Sequence, residues 1–194
     1  AAQVSLSLVL VVAAVLFAQS FSNLLHLNLG FEQHEVISVR FDTRNIAYAP
    51  AELPQLSRRL LEGAESLPGV RSAAFAMCGL MLGCRANVDG LHISGYQAQP
   101  GEQVMVQENR VGPKYFRTVG MQLVAGRGIE EADTAATPSV AVVNEAMVRR
   151  YFRNRSAVGE RFGYDTPDIE IVGEATRKAF RVARFNSEIN LALE

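Results

Sequence analysis

Apolar and polar positions divide this chain into a charge-free head and a patterned body. Residues 1–31 contain no Asp, Glu, Lys or Arg, and Glu32 carries the first formal charge. Between Val4 and Ala18 the only hydroxyl side chains are Ser5 and Ser7, which can bond back to carbonyls within a helix. A helix over residues 1–18 would be about 27 Å long, near the ~30 Å hydrocarbon core of a bilayer. Phe21, Leu24 and Leu25 can extend it. The run therefore predicts a membrane helix that continues outward as a stalk to Phe31. A cleaved secretory signal and a buried core helix are the alternatives. Against the first, no basic residue precedes the run, and Leu16 sits two residues before the candidate cleavage point after Ala18. Against the second, no polar stripe runs along it. Lys and Arg are absent near both ends before Arg40, so flanking charge does not orient the helix.

The body alternates short strand and helix signals. In residues 35–42, Ile37, Val39 and Phe41 fall on one face at a spacing of two, which predicts a strand. Leu53, Leu56, Leu60, Leu61, Ala64 and Leu67 form one stripe at helical spacing, with Pro54 in the first turn and Pro68-Gly69 as the stop. Residues 70–77 predict a second strand, completing a strand–helix–strand unit of βαβ or split type. Residues 91–96 and 102–111 predict a hairpin around the Pro100-Gly101 turn. Residues 113–120 predict a short helix opened by Pro113 and closed by Gly120. A strand and an acidic loop follow, then a buried strand over 139–143. Asn144 is placed to cap a helix over 145–152. Two short strands flank the turn Asp165-Thr166-Pro167-Asp168. The fold class is α+β: a membrane helix, then an extracytoplasmic domain of small mixed sheets and short helices.

Composition narrows the function. The 194 residues carry a net charge of −1, which gives no electrostatic case for a nucleic-acid partner. Three histidines and two cysteines leave little material for a metal site. His26, His34 and His92 have no second ligand at helical or strand spacing. Glu130, Glu131 and Asp133 crowd one loop, but the alternating Asp/Asn and Gly of a calcium loop are missing, so a solvated acidic turn is expected. No Gly-rich phosphate loop, dinucleotide fingerprint or serine elbow occurs, and no catalytic, cofactor-binding or metal residue is assigned. Arg149, Arg150, Arg153 and Arg155 cluster at a predicted helix C-terminus, where the dipole favours cations on a solvated face.

Three stretches carry a family resemblance: NRVGPKYFRTVGMQLVAGRGI, VAVVNEAMVRRYF and VGERFGYDTPDIEIVGE, in that order. They resemble the periplasmic core domain of MacB-like ABC transporter permeases, and more narrowly the duplicated orphan permeases of the FtsX-like superfamily. The apolar head with SFSNLLHLNLGFE resembles that family's first membrane helix. The resemblance covers residues 1–174. It implies an inner-membrane permease without enzymatic activity of its own, with the N-terminus in the cytoplasm and everything after residue 31 in the periplasm. It divides the chain into helix and stalk (1–30), a porter-like α+β part (31–120) and a smaller β-rich part (121–174). The implied partners are a separate ATP-binding subunit, a second permease half and membrane lipid. Residues 175–194 form a tail that departs from the family's continuation, as in a truncated or frameshifted gene, and the absence of an initial Met points to a fragment.

Within that topology Cys78 and Cys84 are candidates for a disulfide in an oxidising periplasm, closing a short loop worth ~2 kcal/mol. Two free thiols are the alternative. A membrane-anchored extracytoplasmic binding or sensor domain is the competing function, and a ligand-sized apolar pocket would favour it.

Overall fold

The computed structural model describes residues 2–25, 35–41, 52–77, 86–88, 90–134, 136–176 and 182–185. The charge-free head is one helix, α1 (Ala2–Leu25). The apolar stripe at 53–67 forms α2 (Leu53–Glu65), which starts at the Leu53-Pro54 pair and stops before Pro68-Gly69. The remaining elements are β1 (Ala86–Val88), β2 (His92–Ile93), β3 (Val106–Val111), α3 (Tyr115–Thr118), β4 (Leu123–Gly126), β5 (Val140–Asn144), α4 (Glu145–Phe152), β6 (Arg161–Gly163), β7 (Ile169–Ala175) and β8 (Val182–Phe185). The class is α+β, as the pattern predicts.

All eight strands join one mixed sheet in the order β1-β3-β8-β5-β7-β6-β2, with β4 on β7. Its centre is β5, whose five residues are all buried because β7 runs parallel on one side and β8 antiparallel on the other. Ala141 and Val143 face one core with Val148, Phe152, Phe162 and Ile171. Val140 and Val142 face a second core with Val111, Phe116, Ile129 and Val172. The period-two alternation of a strand thus feeds two cores on opposite faces of the sheet. The parallel β5–β7 pair needs a crossover, and α4 followed by β6 supplies it.

α4 matches its sequence signal residue for residue. The Asn144 side chain accepts from Met147 N at 2.9 Å, and Met147, Val148, Tyr151 and Phe152 are buried. The helix ends in two successive left-handed residues, Arg153 (φ 52) and Asn154 (φ 61). The turn beyond is pinned to β7, because Glu174, buried on that strand, accepts from Ser156 Oγ at 2.9 Å and from Ala157 N at 2.6 Å. β4 also crosses close to β7. A Cβ at Gly173 would collide with the Arg127 carbonyl, and one at Gly126 with the Val172 carbonyl.

Three expectations are corrected. Residues 35–41 join no ladder among the described residues, and Ile37 is 89% exposed, so period-two alternation here lacks the cross-strand partner that makes it a strand. Residues 70–77 contribute a single bridge, Ala76 to Val111, rather than a strand, and the strand–helix–strand unit is not formed. The ladder expected between 91–96 and 102–111 is also absent; the two segments share one backbone bond, Leu91 N to Val104 O at 3.3 Å. β2 pairs with β6, while β3 pairs with β1 and β8. The Pro100-Gly101 turn itself is present, with Glu102 N donating to Gln99 O at 2.9 Å. The tail beyond 174 supplies β8, which lies between β3 and β5.

Candidate functional site

α1 is the first functional element. Gln3–Asn23 is long and apolar enough to cross a membrane, with mean hydropathy 2.3, and none of it is buried against the rest of the chain. At ~1.5 Å per residue its 21 residues span about 31 Å, matching a hydrocarbon core. Ser7 Oγ donates to Gln3 O at 2.9 Å, so its hydroxyl is satisfied within the helix. Over residues 8–18 its surface is apolar on every side, as a lipid-facing helix requires, while Gln3 at one end and Gln19, Ser20, Ser22 and Asn23 at the other are polar.

The second element is the junction of α2 with the sheet. No residue of α2 is fully buried, its Leu56, Leu60 and Leu61 stripe is half-buried, and polar contacts tie its C-terminal end to the residues around α3. Lys114 Nζ donates to both Glu65 oxygens at 2.9 and 3.1 Å, and Ala73 N donates to Glu65 Oε1 at 3.2 Å. The Lys114 hydrogen bond, followed by that from Ala73 N–H, holds the Glu65 carboxyl below its ordinary value. Ser72 Oγ and Thr118 Oγ1 lie 2.7 Å apart, in hydrogen-bond contact. Gly112 N donates to Phe75 O at 2.9 Å and Met77 N to Arg110 O at 2.8 Å, fastening the segment after α2 to β3. Lys114 itself sits in the left-handed region (φ 64), directly before α3. Further out, Arg71 pairs with Glu35 across two exposed side chains.

The third element ties the segment between β2 and β3 to α4. Tyr96 Oη donates to Glu102 at 2.7 and 2.8 Å to its two oxygens, and Gln99 N donates to Glu102 Oε2 at 3.1 Å. These bonds hold the Glu102 carboxyl below its ordinary range, and the shared one pushes the Tyr96 hydroxyl up. Arg150 reaches the same carboxylate at 3.5 Å while its guanidinium lies 5.2 Å from the Tyr151 ring centroid. Tyr96 and Tyr151 meet edge to face at 5.0 Å, and Tyr151 Oη donates to Met105 O at 3.2 Å. Two open depressions of about 690 Å³ each meet at Tyr96: one also lined by Leu91, His92, Ile93 and Val104, the other by Gly95, Gln97, Tyr151, Arg153 and Arg155.

The residues singled out from sequence are dispersed. Cys78 and Cys84 lie outside the described residues, as do His26 and His34. His92 is exposed on β2. Among the described residues no three His, Cys, Asp or Glu side chains come together as a metal would need. The acidic loop is only half solvated. Glu130 and Glu131 are exposed, but Asp133 is buried, where it receives Arg127 Nη1 and Nη2 at 2.7 and 2.8 Å and Glu130 N at 2.9 Å. An inward-facing carboxylate needs such donors, and they come from residues close in sequence. The arginines also divide: Arg150 is engaged with Glu102 and Tyr151, while Arg153 and Arg155 line a depression. Sequence reading missed Glu65, Lys114, Tyr96 and Glu102. Of these only Glu102 had a local signal, the Pro-Gly turn that brings it back toward Tyr96.

The sequence matches the MacB-like periplasmic core domain family over residues 3–187, past Glu174 and through β8. No curated protein sequence matches it. Among solved structures it is similar to the periplasmic region of MacB from Actinobacillus actinomycetemcomitans, with 15% identity, TM-score 0.44, and coverage of 66% of this chain and 54% of that one. It is also similar to the extracellular domain of the noncanonic ABC-type transporter YknZ from Gram-positive bacteria, with 13% identity, TM-score 0.39, and coverage of 64% and 58%. This chain therefore spans little more than half the length of either. With the family match covering α1, α2 and every strand of the sheet, the chain belongs to the family of MacB-like periplasmic core domains.

Proposed function

We propose that this chain is the periplasmic domain, with its leading membrane helix, of an ABC exporter-type permease of the inner membrane, and that the domain after residue 31 works mechanically in the periplasm. A separate cytoplasmic subunit hydrolyses ATP, and a second permease half completes the transporter. The observation that carries this reading is the single family match running unbroken from the apolar helix into the folded domain. Motion of α1 reaches the domain through residues 35–41 and α2. It passes to α3 at the Glu65–Lys114 and Ser72–Thr118 contacts, and into β3 where Met77 N donates to Arg110 O. The porter-like part (31–120) and the β-rich part (121–174) share the sheet, since β2 and β3 come from the first and β5, β6 and β7 from the second. Force applied at α2 is therefore delivered to both. Cys78 and Cys84 form a disulfide in the periplasm.

The test is thiol labelling of intact cells with a membrane-impermeant reagent, with and without mild reductant, followed by carbonate extraction. Labelling only after reduction, on a chain that stays in the membrane pellet, is the expected result. Labelling that requires lysis would place the domain in the cytoplasm and overturn the permease reading.

A further inference from the structure

The arginines at the end of α4 are more than a solvated helix terminus. Successive left-handed residues at Arg153 and Asn154 turn the chain sharply after Phe152, and Arg155 N donates back to Phe152 O at 3.0 Å. That turn sets Arg153 and Arg155 on the wall of one depression, opposite Gly95, Tyr96 and Gln97. Both arginines are exposed, and neither has an ion-pair partner among the described residues. The neighbouring carboxylate, Glu102, is already held by Tyr96, Gln99 N–H and Arg150. The depression thus offers two planar cations with no anion, on a frame whose aromatic wall is fixed by the Tyr96–Tyr151 and Arg150–Tyr151 contacts. Non-glycine residues at positive φ are uncommon, and this turn is held by the Arg155 N–H bond to Phe152 O and by the Ser156 and Ala157 bonds to Glu174.

We propose that this cleft docks an extended acidic segment of a partner protein, with carboxylates on Arg153 and Arg155 and an apolar side chain beyond Tyr96. Guanidinium groups bind carboxylates through paired N–H donors, and Arg and Tyr are enriched where protein surfaces meet. A peptide fits better than a lipid headgroup because the depression does not end at Tyr96. A second open depression shares Tyr96, lined by Ala98 and the edges of the buried Leu91, Ile93 and Val104 beside His92, Gln103 and Glu102, whose charge Tyr96 and Arg150 already hold. A headgroup would use only the arginine end, whereas a segment uses both. The site would serve such a partner whether or not the chain moves in a transport cycle.

The test uses the full chain in nanodiscs of zwitterionic lipid and fluorescence anisotropy with a labelled peptide alternating Leu and Glu. The control peptide has Gln in place of Glu. The Glu peptide is expected to bind at least about tenfold more tightly than the Gln peptide, with an affinity that falls as salt rises. Arg153→Asn with Arg155→Gln should remove that preference; Asn tolerates the left-handed conformation, so the turn is kept. Arg149→Gln, outside the depression, should leave binding unchanged. Equal binding of the two peptides, no saturable binding, or full binding by the double variant would each overturn the proposal. Displacement of the peptide by inorganic phosphate at equal concentration would reduce the site to a simple anion site. Its loss on adding anionic lipid to the nanodisc would assign the arginines to headgroups. Either result also overturns the proposal.

Discussion

Removal of the Asp133 carboxylate tests whether the loop between β4 and β5 is held by one charge cluster. Asp133 is 6% exposed and accepts three hydrogen bonds, two from Arg127 and one from Glu130 N–H. Arg127 Nη1 also donates to Gly128 O at 3.0 Å, next to Ile129 in the second core. Hydrogen bonds to a charged group contribute ~1.5–3 kcal/mol each, and stranding one member of a fully buried pair costs ~3–5 kcal/mol. Arg127 is 40% exposed and regains water when its partner is lost, which discounts that ceiling. Asp133→Ala should therefore destabilise by about 2–3 kcal/mol. Asp133→Asn, which keeps an acceptor for Glu130 N–H, should cost about 1–2 kcal/mol.

The pH dependence follows from the same geometry. Burial, the largest influence on Asp133, pushes its pKa up, but the Arg127 and Glu130 hydrogen bonds outweigh it, and the net shift is downward. A depressed carboxyl stabilises fully above its unfolded value of about 3.9, and that contribution disappears as pH falls through the folded value. The stability gap between wild type and Asp133→Asn should then narrow below about pH 4. The chain has no Trp, so urea unfolding is best followed by near-UV circular dichroism of its five tyrosines. An Asp133→Ala cost under about 0.5 kcal/mol, or a gap unchanged at about pH 3, would refute the reasoning.

Three further outcomes are expected. Gly173→Ala places a methyl against the Arg127 backbone carbonyl, which cannot yield as a side-chain end can; β4 should peel from β7, with a loss of about 3 kcal/mol or more in the same urea assay. Asn144→Ala removes the acceptor for Met147 N and should cost about 1–2 kcal/mol, while Asn144→Asp should retain most of the cap. Lys114→Ala should raise hydrogen exchange in α2 while β5 and β7 stay protected. In the wild type, α2 protection should weaken as pH falls through the lowered Glu65 pKa, having been complete above the unfolded value of about 4.3. Uniform loss of protection across α2 and the sheet would show that α2 is not a separately docked unit.

The sequence by itself determined the elements whose signals are local. The charge-free head, the apolar stripe of α2, the all-apolar run of β5 and the Asn144 cap each need only neighbouring residues, and all four appear in the structure. The order of the pieces also carried the family. Only the tertiary structure decided what depends on partners distant in the chain. Alternation in residues 35–41 is as clean as in any strand, yet a ladder needs another backbone, and none joins it among the described residues. Residues 91–96 and 102–111 carry a good hairpin pattern, but β6 takes β2, and β1 and β8 take β3. The polar contacts were equally hidden. Glu65 and Lys114 are 49 residues apart, and Glu102 faces Arg150 from another element, so neither pairing leaves a spacing to read. Hydrophobic period reports which face of an element turns inward, but says nothing about which element it meets or which charges meet there.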